Sequence, residues 1–261
     1  ISRKVVIKIN TEEKSGITPK LYNDALKPTV KEFGETLCLI PKAIKASLAP
    51  LREWIAVKEY NIAETEKLLA HKLENLDPEK ITTPKPYVAV PAIQALSYSM
   101  DSSELRNLYA NLLAKSMNVD TQDNVHPSFV EIIKQLSPLD AQLFNILYSN
   151  IVNPIIDLKR KEKNKIGSID LVNNIMNIDI APHEFISLSI NNLERLNLIS
   201  IPNDTYYTDD NLYKPFYEHE LYKKHHKFSI SSGSYELIVI KKIISITDIG
   251  KAFYNICIND K

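Results

Sequence analysis

Apolar residues recur along this chain mostly three and four positions apart, the spacing that places them on one face of a helix. The pattern is densest over residues 84–148, where four helices are predicted. Leu105, Leu108, Tyr109, Leu112 and Leu113, with Ser116, form one stripe; Phe129, Ile132, Ile133 and Leu136 form the next. The helix starts are legible as well. Asp101 and Glu104 stand at capping-box spacing, where the first side chain accepts an exposed N–H and the second reaches back. His126-Pro127 and Ser137-Pro138 each put a polar residue before a proline, which loses nothing at the first helical position.

Upstream the pattern is less regular. Residues 1–27 read as an N-terminal arm, with a weak strand at Val5 to Ile9 and a polar linker after it. Over residues 28–58, Val30, Phe33, Leu37, Ile40, Ile44, Ser47, Leu51 and Trp54 form a heptad-like stripe. Pro41 and Pro50 interrupt it, which predicts two or three short helices sharing one face. The stripe can pack on the central helices, serve as a self-association seam or lie on a membrane surface. The last reading fits least, since Lys42, Lys45 and Arg52 are mixed with Glu32, Glu35 and Glu53. A further helix is predicted over residues 62–76, with Leu68, Leu69, Leu73 and Leu76 inward, followed by an extended proline-rich linker.

From residue 137 the pattern changes. Pro154 closes the preceding helix, and Lys159 to Lys165 reads as a basic loop. Ile166-Gly167 reads as a short strand, and Ser168 as the cap of a helix ending near Ile178. A helix over residues 183–197 runs into a strand at 198–201; after an insert, 242–247 forms a second strand and Thr247 or Asp248 caps the last helix. This order, with "LERLNLISI" and later "ISITDIGKAF", resembles a winged helix. The insert over residues 202–241 is the expected mobile part. The predicted fold is therefore mainly α. A helical domain over 28–136 is followed by a winged-helix-like domain over 137–261 with a small β wing.

Composition narrows the function classes. With 32 basic and 32 acidic residues the formal net charge is zero, which argues against whole-molecule attraction to nucleic acid or an anionic membrane. The two cysteines, Cys38 and Cys257, have neither metal-site spacing nor a disulfide pattern, as expected in a reducing cytoplasm. No signal segment and no run of transmembrane length is visible, so a cytoplasmic location is expected.

A winged helix invites a DNA-binding reading, with the helix over 182–196 in the major groove. That helix offers Arg195 as a certain cation against Glu184 and Glu194, with Asn191 and Asn192 as base readers. Basic residues sit instead in the 159–165 loop and at Lys223, Lys224, Lys227, Lys241 and Lys242. His219, His225 and His226, beside Glu218 and Glu220, are the one cluster of metal-ligand types. Adjacent histidines do not easily share an ion, and a solvated loop is preferred. His126 and Ser137 are assigned to helix starts rather than to catalysis, and Asn111 to a backbone partner or a pocket wall. There is no Gly-rich phosphate loop, no H-E-x-x-H and no G-x-S-x-G. No catalytic residue, metal site or cofactor is therefore assigned, and the nucleic-acid-binding residues stay unknown.

The order "VPAIQALSYSMDSSELRNLYANLLAKSMN", then "VHPSFVEIIKQLSPLDAQLF", resembles the abortive infection alpha family of bacteria. The resemblance implies a bacterial cytoplasmic protein of anti-phage defence and supplies no catalytic or ligand residues. Together these readings predict action by macromolecular binding, through a protein partner or self-association. The alternative is a DNA-binding transcriptional regulator using the C-terminal module. An enzyme whose site assembles only on folding is the third reading.

Overall fold

The computed structural model describes residues 41–49, 62–98, 102–163 and 165–259. The expected arm lies outside these residues, as do Val30, Phe33, Leu37, Ile40, Leu51, Trp54, Cys38 and Asp101. Of the heptad-like stripe, Ile44 and Ser47 are described. They sit buried in a helical segment over 41–48, where Ile44 and Leu48 join the main core.

The helical half follows the apolar pattern closely. Helix α1 is Ile62–Lys72, α2 Pro86–Tyr98, α3 Ser103–Ser116, α4 Ser128–Lys134 and α5 Pro138–Ser149. Helix α3 is central. Buried residues run from Leu108 through Ala114 without a polar face, because α1, α2, α4 and α5 all pack around it. Its cap is Ser102, whose side chain accepts the Leu105 N–H at 3.3 Å. Glu104 accepts instead from Ser103 and Gln142. Helix α5 has a full capping box. The Ser137 hydroxyl accepts the Asp140 N–H at 3.1 Å, and the Asp140 carboxylate accepts the Ser137 N–H at 2.7 Å. Before α4, His126 Nδ1 accepts the Ser128 N–H at 3.1 Å, so the imidazole does the work of a cap.

The C-terminal half departs from expectation. It is mixed α/β, not a mainly α winged helix. Strand β1 is Pro154–Glu162 and β2 is Ile169–Ile175; then come helix α6, His183–Arg195, and β3, Ile199–Ser200. Helix α7, Glu220–Ser232, precedes β4, Tyr235–Ile243, and β5, Ser245–Ile246; α8, Asp248–Phe253, ends the chain in a π turn, Tyr254–Ile258. An antiparallel sheet runs in the order β2-β1-β4, and β3 pairs with β5.

The expected basic loop at Lys159 to Lys165 is thus largely strand, and the helix expected after Ser168 is strand β2. The expected insert over 202–241 supplies α7 and most of β4, which pairs with β1 without interruption from Pro154↔Ile243 to Glu162↔Tyr235. Charge hid β1 in the sequence. Lys159 and Arg160 are tolerated because strand residues supply carboxylates and an aromatic face. Lys159 pairs with Asp170 across the sheet at 2.9 Å, and Arg160 lies over the Tyr235 ring at 5.6 Å.

One buried apolar cluster runs from Ile44 to Cys257 and joins the helical half to α6, β3 and α8. Phe253 closes it with edge-on contacts to Phe129 and Phe144 at 5.7 and 5.9 Å. A second cluster lies under the sheet, where Ile156, Leu158 and Ile175 meet Tyr213 and Phe216. Gly250 is fixed by contact. A Cβ there would stand 2.1 Å from the Leu198 carbonyl oxygen, so only glycine lets α8 approach β3. Among the described residues no helix is long and apolar enough to cross a membrane.

Candidate functional site

Helix α6 separates two surfaces of different chemistry. One is a polar cleft beside the three-stranded sheet, with a volume of about 790 Å3. Its floor is built by a bulge. Ile156 pairs with Ile175 and Leu158 with Val172, so Asn173 and Asn174 stand opposite the single residue Asp157. Asn174 takes a positive φ of 56°, a conformation that asparagine tolerates better than most residues. This turns its N–H onto Asp157 Oδ1 at 2.8 Å and its amide onto Asn191 of α6, where Oδ1 accepts at 2.9 Å. Lys242 of β4 then donates to Asp157 Oδ2 at 2.9 Å and to Asn174 Oδ1 at 3.0 Å.

Asp157 and Asn174 are buried, and a buried charge is stable only when paired and hydrogen-bonded. Each floor residue bonds at least one of the others. The rim carries His183, Glu184, Glu194, Lys224 and His225. Burial pushes His183 below the ordinary imidazole range, Glu184 opposes this, and His219 adds to it. The polar quartet was not visible in the sequence. Its members come from β1, β2, α6 and β4, and the one local sign is the Asn173-Asn174 pair between apolar neighbours Val172 and Ile175.

The other surface is apolar. Phe185 and Leu188, one turn apart on α6, are 57% and 65% exposed. They border a groove of about 830 Å3 against the segment from Lys134 to Asp140. The polar residues of α6 beside them are held within the protein. Asn192 donates to the Gln135 carbonyl at 2.8 Å and to Asp140 Oδ2 at 2.9 Å. Arg195 donates to Gln135 Oε1 at 2.9 Å and to Asn192 Oδ1 at 2.7 Å. Asn191 is engaged with Asn174. The cation Arg195 and the base readers Asn191 and Asn192 thus have partners inside the fold, and the helix turns hydrocarbon outward at Phe185 and Leu188.

The remaining sequence candidates separate in the same way. Lys241 pairs with Asp210 at 2.6 Å, Lys223 with Glu218 at 2.7 Å, and Lys165 with Glu162. Lys224 and Lys227 have no ion pair among the described residues. His219 caps α7 by accepting the Leu221 N–H at 3.2 Å, and His226 stacks on Tyr222. Among the described residues no group of three or more His, Cys, Asp or Glu side chains is placed to hold a metal ion. Asn111 resolves to the backbone reading, its amide donating to the Cys257 and Ile258 carbonyls at 3.0 and 3.3 Å. Cys257 is buried, and burial raises its thiol well above the ordinary range.

Comparison with known families matches residues 57–257 to the family described as Abortive infection alpha. Neither the curated proteins nor the solved structures gave a match.

Proposed function

The chain belongs to the abortive infection alpha family, and on that premise we propose that it is an anti-phage defence protein that acts by binding another macromolecule. The observation that carries this reading is the outward pair Phe185 and Leu188, at the edge of a groove whose polar neighbours are already satisfied. Large apolar side chains clustered in the open are the usual mark of a protein-binding surface. The same helix does not support the regulator reading. Phosphate and base contacts need free cations and donors, and Arg195, Asn191 and Asn192 are engaged within the fold.

The partner is a protein presenting an apolar segment to α6. A double substitution, Phe185→Asp with Leu188→Asp, is expected to leave the fold intact, since both side chains are exposed. It is expected to abolish capture of that partner from phage-infected cells and to lower protection in a plaque assay. Unchanged protection by a folded double variant sinks this reading.

A further inference from the structure

We propose that the space between helix α7 and the three-stranded sheet is a binding site for a small phosphorylated nucleoside. This site is separate from the apolar surface of α6. A helix lying over a sheet ordinarily buries a stripe of side chains, but α7 buries none. Leu221 and Tyr222 in its first turn are half-buried against the second apolar cluster. Beyond them the layer holds a cavity of about 460 Å3, within the about 300–1,000 Å3 range of small-ligand sites.

The lining is chemically one-sided. Lys224, Lys227, Arg160 and His225 face it, and no carboxylate does. Lys224 and Lys227 are exposed and without an ion pair among the described residues, so their charge is available. Arg160 is pinned over the Tyr235 ring and donates once to Glu162 at 3.2 Å. Its Nε is buried with no partner, so the protein leaves donor capacity of this guanidinium unmet. Burial, and after it the charge of Lys224, holds His225 below its usual range.

The second half of the argument is aromatic. Phe228 lies one turn beyond Lys224 on α7, is 60% exposed, and has its ring 5.9 Å from that of Tyr235. An exposed ring beside unpaired cations suits a ligand that joins a flat π system to phosphate charge. The neighbouring cavity of about 430 Å3 shares Tyr235 but is mixed in sign. There Lys161, Lys163 and Lys165 are set against Glu162 and Glu236. The phosphates therefore belong among Lys224, Lys227 and Arg160, and the base against Phe228. The compact volume favours a mononucleotide over a strand of nucleic acid.

The test uses the full chain and a fluorescent N-methylanthraniloyl ADP, followed by titration at low salt. Saturable binding is expected, with displacement by unlabelled ADP. Adenosine and pyrophosphate, each lacking one half of the ligand, should displace at least about tenfold more weakly. Lys224→Glu with Lys227→Glu, and separately Phe228→Ala, should each weaken binding about tenfold or more. Lys223→Glu, on the same helix but paired with Glu218, should leave it unchanged. These side chains are exposed, and a melting curve for each variant checks the fold. The proposal is overturned by absence of saturable binding at millimolar probe, or by binding that the substitutions do not alter. A short single-stranded RNA that binds and is not displaced by ADP overturns it as well.

Discussion

Residues in this protein divide into those explained by their neighbours in sequence and those explained by neighbours far along the chain. Ser137 and Thr247 belong to the first group. Each stands before a helix and its hydroxyl accepts the N–H three residues on, as the sequence implied. Asp157 belongs to the second. In the sequence it is one acidic residue in an apolar run; in the fold it is a buried carboxylate held by Lys242, 85 positions away, and by the Asn174 N–H. This sets a prediction. Lys242→Met leaves Asp157 buried without its cation, which should cost about 3 kcal/mol, since breaking a buried pair from one side exposes an uncompensated charge. The double variant Asp157→Leu with Lys242→Met should recover a large part of that loss. Urea denaturation of the parent protein and of both variants checks it, and equal losses in the single and double variants would refute the coupling.

Among the elements, most helices and the short strands β3 and β5 are readable, whereas helix α7 and the three-stranded sheet are not. Helices α3 to α5 end in local hydrogen bonds, and the helical half shows its apolar residues at helical spacing. Strand β1 reads as charged because its stabilisation lies in pairing with β4, about eighty residues downstream, and no local signal announces a partner that remote. Strand β2 reads as a helix because Ser168 resembles a cap, although the run from Ile169 to Ile175 alternates in part. Interlocking of the C-terminal turn with α3 is likewise a property of elements. Asn111 satisfies two carbonyls that the π turn leaves open. Asn111→Ala should cost about 1–3 kcal/mol by leaving them unmet in a buried site. Hydrogen exchange should then show α8 opening before α3; a uniform effect along the chain would count against this docking role.

For the whole molecule, the cluster from Ile44 to Cys257 sets the behaviour. Leu112, Leu113 and Phe129 share it with Leu143, Ile190 and Phe253, so residues on both sides of position 137 lose the same core if either side unfolds. Heat or urea should therefore give one transition for the full chain, with helical circular dichroism and the fluorescence of a tryptophan placed at Phe253 changing together. Two separated transitions would show that the halves are independent. At this scale the sequence determined the helical half, its starts and its apolar faces, and the family, because those rest on short-range periodicity and on a contiguous order of residues. The tertiary structure decided the sheet, the bulge that gathers Asp157, Asn174, Asn191 and Lys242, and the exposure of Phe185 and Leu188. Pairing across a sheet and the burial of one helix face both depend on which distant segment arrives beside it. Periodicity shows that a segment has an apolar face, and only the fold shows which face is covered.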